Sequence, residues 1–171
     1  LIGVSGGVDS MVLAHLFVQA GFTVGMAHVN YGRRGEESDK DERLVLETAT
    51  AWDQTYHHTH YVDNKSTGNF QEKARDFRYN WFFSLMKKYG YNFLALAHHA
   101  DDQTETFFMQ LLRSAGLNGL SGIKARDGNK IRPLLKVFKS AIYQYAEHHA
   151  VPFREDQSNS DNKYRRNWVR N

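Results

Sequence analysis

The sequence contains no cysteine. Within these residues that excludes a disulfide framework and any chemistry carried by a thiolate. No apolar run approaches the roughly 20 residues that a membrane-spanning helix needs, so no membrane partner is expected. Neither sign of charge dominates: 22 Lys and Arg stand against 19 Asp and Glu, leaving a net charge of +3, with nine His besides. That balance permits a polyanionic partner without requiring one. Two familiar nucleotide loops are also missing. No Lys follows the first glycines, so G-x-x-x-x-G-K-[ST] is absent, and so is G-x-G-x-x-G. What the chain does have is apolar material for one core, with 41% hydrophobic residues in a length of 171, the size of one domain. It opens inside an apolar run without Met, and is expected to be part of a longer protein.

The informative stretch is Ser5-Gly6-Gly7-Val8-Asp9-Ser10. A short apolar run precedes it, and Met11, Leu13, Ala14, Leu16, Phe17 and Ala20 follow at helical spacing, which reads as strand, tight turn and helix. Paired glycines let backbone N–H groups approach a ligand, Ser5 and Ser10 add hydroxyls, and a helix start adds free N–H groups and the positive end of its dipole. Together they make an anion cradle suited to phosphate. Asp9 stands where other phosphate loops carry a cation. An acid beside phosphate is repulsive unless a cation intervenes, so Asp9 implies bridging Mg²⁺. The plainer alternative is a Gly-rich turn capped by Asp9 or Ser10.

Further along, residues 22–29 read as a second strand, reached by a right-handed crossover. Asp39 and Glu42 form a capping-box pattern that opens a helix to about Trp52. A strand at 55–62 puts His58 and His60 on one face and His57 on the other. Asn69 with Glu72 caps a helix whose apolar face is Phe70, Ala74, Phe77, Trp81 and Leu85, ending near Gly90; Arg75 and Arg78 share a neighbouring face with Tyr79. Residues 91–97 form a nearly continuous apolar strand. The helix after it runs to about Arg113, with Asp102, Glu105, Met109 and Arg113 on one stripe and Phe108, Leu111 and Leu112 as the expected buried stripe. Residues 116–123 form a glycine-spaced loop with apolar knobs, Asp127-Gly128 signals a hairpin, and a helix is predicted over 137–149. The tail 156–171 is polar and carries Lys163, Arg165, Arg166 and Arg170. The order βαβαβαβα predicts an α/β fold, a doubly wound parallel sheet with helices on both faces. Ligands of such sheets sit at the carboxyl ends of the strands. The Ser5–Ser10 loop, the end of the His28 strand and the turn at 98–102 should therefore converge.

His98, His99, Asp101, Asp102 and Glu105 crowd potential ligands into one turn. Three readings compete: a helix start capped by its acids, a transition-metal hydrolase site using His98, His99 and His28, or acids facing the nucleotide and holding Mg²⁺ or a cationic substrate.

The loop S-G-G-x-D-S resembles the pyrophosphate loop of the N-type ATP pyrophosphatases, which cleave ATP between the α and β phosphates. The run A-H-H-x-D-D-Q-x-E-T at 97–106 is similar to the tRNA(Ile)-lysidine synthase family. So are H-V-N at 28–30, R-G-E-E-S-D at 34–39, A-R-x-x-R-Y at 74–79, G-L-x-G-L-x-G-I at 116–123, R-P-L-L at 132–135 and the D-x-S-N…R-N-x-(aliphatic)-R tail. The resemblance implies an adenine nucleotide alpha hydrolase-like fold and an ATP-dependent ligase. ATP adenylylates carbon 2 of the wobble cytidine of tRNA(Ile), and free L-lysine then displaces AMP to give lysidine. By motif position it implies Asp9 and Asp102 as acids for metal and phosphate, and Asp102 and Glu105 as acids for lysine. Arg78 and Arg166 fall at the reaction centre; Arg75, Arg113, Lys163, Arg165 and Arg170 fall along RNA. It also implies work in the cytoplasm, admits a homodimer, and makes 156–171 a basic lead into C-terminal RNA-binding domains. Two alternatives stand beside it. One is a related tRNA thiolase, which would have to work without a cysteine in these residues. The other is a non-catalytic nucleotide-binding module.

Overall fold

The computed structural model describes residues 1–62, 69–112 and 122–155. Its elements run β1 (Ile2–Gly3), α1 (Val8–Gln19), β2 (Gly25–Asn30), α2 (Glu36–Ala51), β3 (Thr55–His60), α3 (Phe70–Tyr89), β4 (Leu94–Ala95), α4 (Ala100–Leu112), β5 (Arg126–Asp127), β6 (Lys130–Ile131) and α5 (Lys139–His148). The strands form a single sheet in the order β3-β2-β1-β4-β6-β5. The pairs from β3 through to β6 are parallel, and β5 closes the edge antiparallel to β6. This is the predicted α/β sheet, with a hairpin added at one edge.

Alternation along the strands builds two cores. Ile2, Met26 and Ala95 point to one face, where Met11 and Leu13 of α1, Val45 and Ala49 of α2, and Ile142 and Ala146 of α5 cover them. Leu1, Ala27, Val29, Leu94 and Leu96 point to the other face, under Phe82, Leu85 and Met86 of α3. With both faces covered, β2 is buried at every position. Helix α3 starts where Asn69 accepts the backbone N–H of Gln71, and stops at Gly90, whose φ of 74° is left-handed.

Three expectations change. Helix α2 does not open on a box of Asp39 and Glu42: it starts at Glu36 behind Gly35. Asp39 and Glu42 instead both accept the side-chain amide of Asn30, at 2.9 and 2.8 Å, tying the end of β2 to α2. Acids in the first turn satisfy the dipole without a side-chain cap, so the spacing alone misplaced the helix start. The apolar run at 91–97 pairs as strand only at Leu94–Ala95. The stripe expected to be buried on α4 is exposed, with Phe108 at 44%, Leu111 at 52% and Leu112 at 66%. Helical periodicity identifies a face but not what covers it. The buried residue of α4 is instead Glu105.

Candidate functional site

The loop at residues 5–10 leaves the carboxyl end of β1 and becomes the start of α1. Ser10 braces it from inside. Its hydroxyl accepts the backbone N–H of Ser5 at 3.0 Å and donates to the carbonyl of Gly7 at 3.0 Å. Ser10 is therefore spent on shape, while Ser5 stays exposed at the mouth, its Oγ 3.3 Å from the Gly7 nitrogen. Gly6 turns the chain with a φ of 91°, and a Cβ there would lie 3.3 Å from Cβ of Asp41. Gly7 is the N-cap of α1 and offers no side chain to the first-turn N–H groups. That is how a helix start accepts an anion.

Asp9 lies in the first turn of α1. Its Oδ2 accepts Nζ of Lys139, the first residue of α5, at 2.7 Å. Its Oδ1 is buried without a protein partner. The buried His99 brings the second acid in: Nε2 lies 3.8 Å from Asp9 Oδ2 and 3.5 Å from Asp102 Oδ2. Asp102 also accepts the backbone N–H of His99 at 3.0 Å, so it helps to cap α4 while facing the site. Asp101 does the capping work that competes with a metal role, accepting the Lys139 N–H at the start of α5 at 2.8 Å. The structure thus brings Asp9 and Asp102 together across His99. Glu105 lies one turn beyond Asp102 on α4 and is buried.

A basic flank adjoins these acids. Burial pushes the His98 imidazole below its ordinary value. Asp102 opposes that shift, and Arg132, Arg78 and Arg75 add to it. His98 therefore lies between the field of the acid and that of three guanidinium groups. Arg75, Arg78 and Lys130 gather over the Tyr79 ring at 5.6, 5.5 and 5.7 Å. Burial also pushes the Tyr31 hydroxyl up, against which Arg78 acts.

A latch closes the other side. Asp41 of α2 accepts Arg34 at 2.5 Å and Nε of Arg154 at 2.8 Å. Arg154 also pairs with Glu37, and its backbone N–H donates to the Gly6 carbonyl at 3.0 Å. Residues far apart in sequence thus hold one peptide of the loop. Sequence reasoning missed Lys139, Asp41 and Arg154. None sits in a chemical motif, and their only sequence signal is their charge.

The hydrolase reading is not supported. His28 Nδ1 is 2.9 Å from the Val4 carbonyl oxygen. Among the described residues the one grouping of three donors with metal-binding spacing is Glu42, His58 and His60. Arg113, Lys163, Arg165, Arg166 and Arg170, and most of the 116–123 loop, lie outside the described residues.

Comparison with known proteins identifies the family and the fold. A family model described as the PP-loop domain matches residues 1–171. The tRNA(Ile)-lysidine synthase of Chlorobaculum tepidum is 38% identical over 179 residues, covering 100% of this chain and 54% of that protein. The tRNA(Ile)-lysidine synthase of Bacteroides thetaiotaomicron is 36% identical, covering 99% of this chain and 41% of its own. The chain thus spans about half, or less, of these curated relatives. In fold it is similar to the U34-tRNA thiolase NcsA from Methanococcus maripaludis, with a TM-score of 0.80 and 19% identity over 98% of this chain and 61% of that one.

Proposed function

This chain belongs to the PP-loop domain family, and on that premise we propose that it is the catalytic part of an ATP-dependent ligase that attaches lysine to the wobble cytidine of tRNA(Ile). The relatives named above support the substrate pair. The observation that carries the reading is the meeting of Asp9 and Asp102 across His99, beside the glycine turn.

In this reading the phosphates of ATP lie on the Gly6–Gly7 turn and the uncapped start of α1. The oxygen on carbon 2 of cytidine attacks the α-phosphorus, and the bond to pyrophosphate breaks. Negative charge develops on the phosphate oxygens, where Lys139, 2.7 Å from Asp9, would act, and Arg78, whose charge reaches His98, would be the second cation. Asp9 and Asp102 are the residues that would hold Mg²⁺, and the unpartnered buried Oδ1 of Asp9 supports that fit. Bound there, Mg²⁺ would neutralise the phosphates. Lysine then arrives with two ammonium groups. Asp102 and Glu105, a helical turn apart, are the carboxylates that hold them. The attacking ε-amine must shed a proton, which a neighbouring carboxylate accepts. A carbon–nitrogen bond forms at carbon 2 as the bond to AMP breaks.

The test supplies labelled lysine, ATP and cytidine-anticodon tRNA(Ile) to the full-length protein. Label should enter RNA with one AMP and one pyrophosphate released per lysine; RNA that stays unlabelled sinks the assignment. Asp102→Asn keeps a carbonyl to accept the His99 N–H, so α4 should stay capped, and ATP should still bind on the glycine turn, with weaker help from Mg²⁺. Lysine transfer should fall by roughly 10²-fold or more. Transfer at the wild-type rate would remove Asp102 from the chemistry, whereas ATP binding with no lysine transfer by the unaltered protein would point to a nucleotide-binding module instead. A sulfur-transfer reading is weaker, because these residues hold no cysteine to carry sulfur.

A further inference from the structure

Three side chains outside the nucleotide site converge on the outer strand of the sheet. His58 and His60 stand two residues apart on one face of β3, and Glu42 reaches them from α2. His58 Nδ1 lies 2.7 Å from Glu42 Oε1, and His60 Nε2 lies 2.9 Å from Glu42 Oε2. All three donor atoms fall within 4.8 Å of one another. Around a tetrahedral ion bound at about 2.0–2.1 Å, neighbouring donors sit about 3.3 Å apart. Small rotations of exposed side chains reach that spacing. We propose that Glu42, His58 and His60 form a binding site for a divalent transition-metal ion of the zinc class, clipping α2 to the edge strand β3.

Several features fit this role better than a solvated His pair does. Two imidazoles and one carboxylate are a donor set that suits zinc and its neighbours, and not Mg²⁺. The carboxylate is already oriented: Asn30 at the end of β2 donates to Glu42 Oε2 at 2.8 Å, as an outer-shell partner should. The His58 ring is held by the Tyr56 ring, 5.3 Å away and nearly parallel at 15°. Both imidazoles are more than half exposed, at 55% and 59%, so an ion can enter from solvent and water can complete its coordination. The site is separate from the proposed chemistry, because β2 lies between β3 and the loop-bearing β1.

The experiment titrates chelator-treated full-length protein with Zn²⁺ by calorimetry and with Co²⁺ by visible absorption. One ion per Glu42–His58–His60 cluster should bind, with a low-coordinate Co²⁺ spectrum. His58→Gln and His60→Gln should each weaken binding at least tenfold, and Asn30→Ala about tenfold through the outer shell. His57→Gln should leave it unchanged, since His57 points to the opposite face and meets the Tyr91 hydroxyl at 2.9 Å. Circular dichroism checks the fold. If His58→Gln is lost with its Tyr56 stacking, the exposed His60→Gln carries the test alone. Absence of binding by the wild-type protein at a hundredfold excess of Zn²⁺ overturns the proposal. So does binding that survives His60→Gln, which would put the ion on other histidines.

Discussion

Adjacent glycines in the Ser5–Ser10 loop should fail in different ways when each is changed to alanine. Gly6 holds a φ of 91°, and its new Cβ would meet Asp41 Cβ at 3.3 Å and the Asp41 carbonyl at 3.4 Å. The backbone conformation costs an L-residue roughly 1–2 kcal/mol. Asp41 cannot step aside cheaply, because Arg34 and Arg154 both hold its carboxylate, and crowding against a fixed neighbour adds about 1–2 kcal/mol. Gly6→Ala should therefore destabilise the chain by roughly 2–4 kcal/mol. At about 2–4 °C per kcal/mol for a chain of this size, Tm should fall by roughly 4–16 °C. Gly7 has ordinary extended angles of −78° and 159°. A Cβ there meets only Ser5 Oγ, at 3.5 Å. Replacing an N-cap glycine costs about 0.5–1 kcal/mol, or roughly 1–4 °C. That Cβ would stand in the mouth of the cradle, so Gly7→Ala should weaken ATP binding at least tenfold in a chain that still folds. Thermal unfolding by circular dichroism and ATP titration by calorimetry separate the two outcomes. Wild-type ATP affinity in Gly7→Ala would refute the phosphate cradle. Wild-type Tm in Gly6→Ala would refute the steric account of the loop.

Asp41→Asn removes the charge that holds two guanidinium groups, and should cost about 2–4 kcal/mol in urea unfolding; a loss under about 0.5 kcal/mol would mean that the latch is idle. Burial lowers the pKa of His28, against a hydrogen bond to Val4 and the charges of Glu42 and Asp41. Burial likewise lowers those of His98 and His57. The folded state then binds fewer protons than the unfolded chain below about pH 6.5, so stability should fall as pH drops from 6.5 toward the lowered values, and hold above 6.5. Denaturant unfolding between pH 5 and 8 reads this, and His28→Gln should flatten the slope. A stability that rises on acidification through this window contradicts the assignment.

The glycine turn, its helix and the hydrophobic alternation of the strands could be read residue by residue, because phosphate chemistry and the period of a strand act over a few neighbours. The opposite faces of His57 and of His58 with His60 followed from the same rule. Reading stopped where a partner lies far along the chain. Lys139 is 130 positions from Asp9, and Arg154 is 113 from Asp41. No local pattern marks a charge that acts only after the sheet has ordered its strands. The same limit explains α4. Its spacing marked an apolar stripe, but tertiary packing left Phe108, Leu111 and Leu112 in solvent and buried Glu105 instead. For this protein, local chemistry marked the residues that we propose bind a nucleotide, and the crossovers of the parallel sheet decided which of them meet.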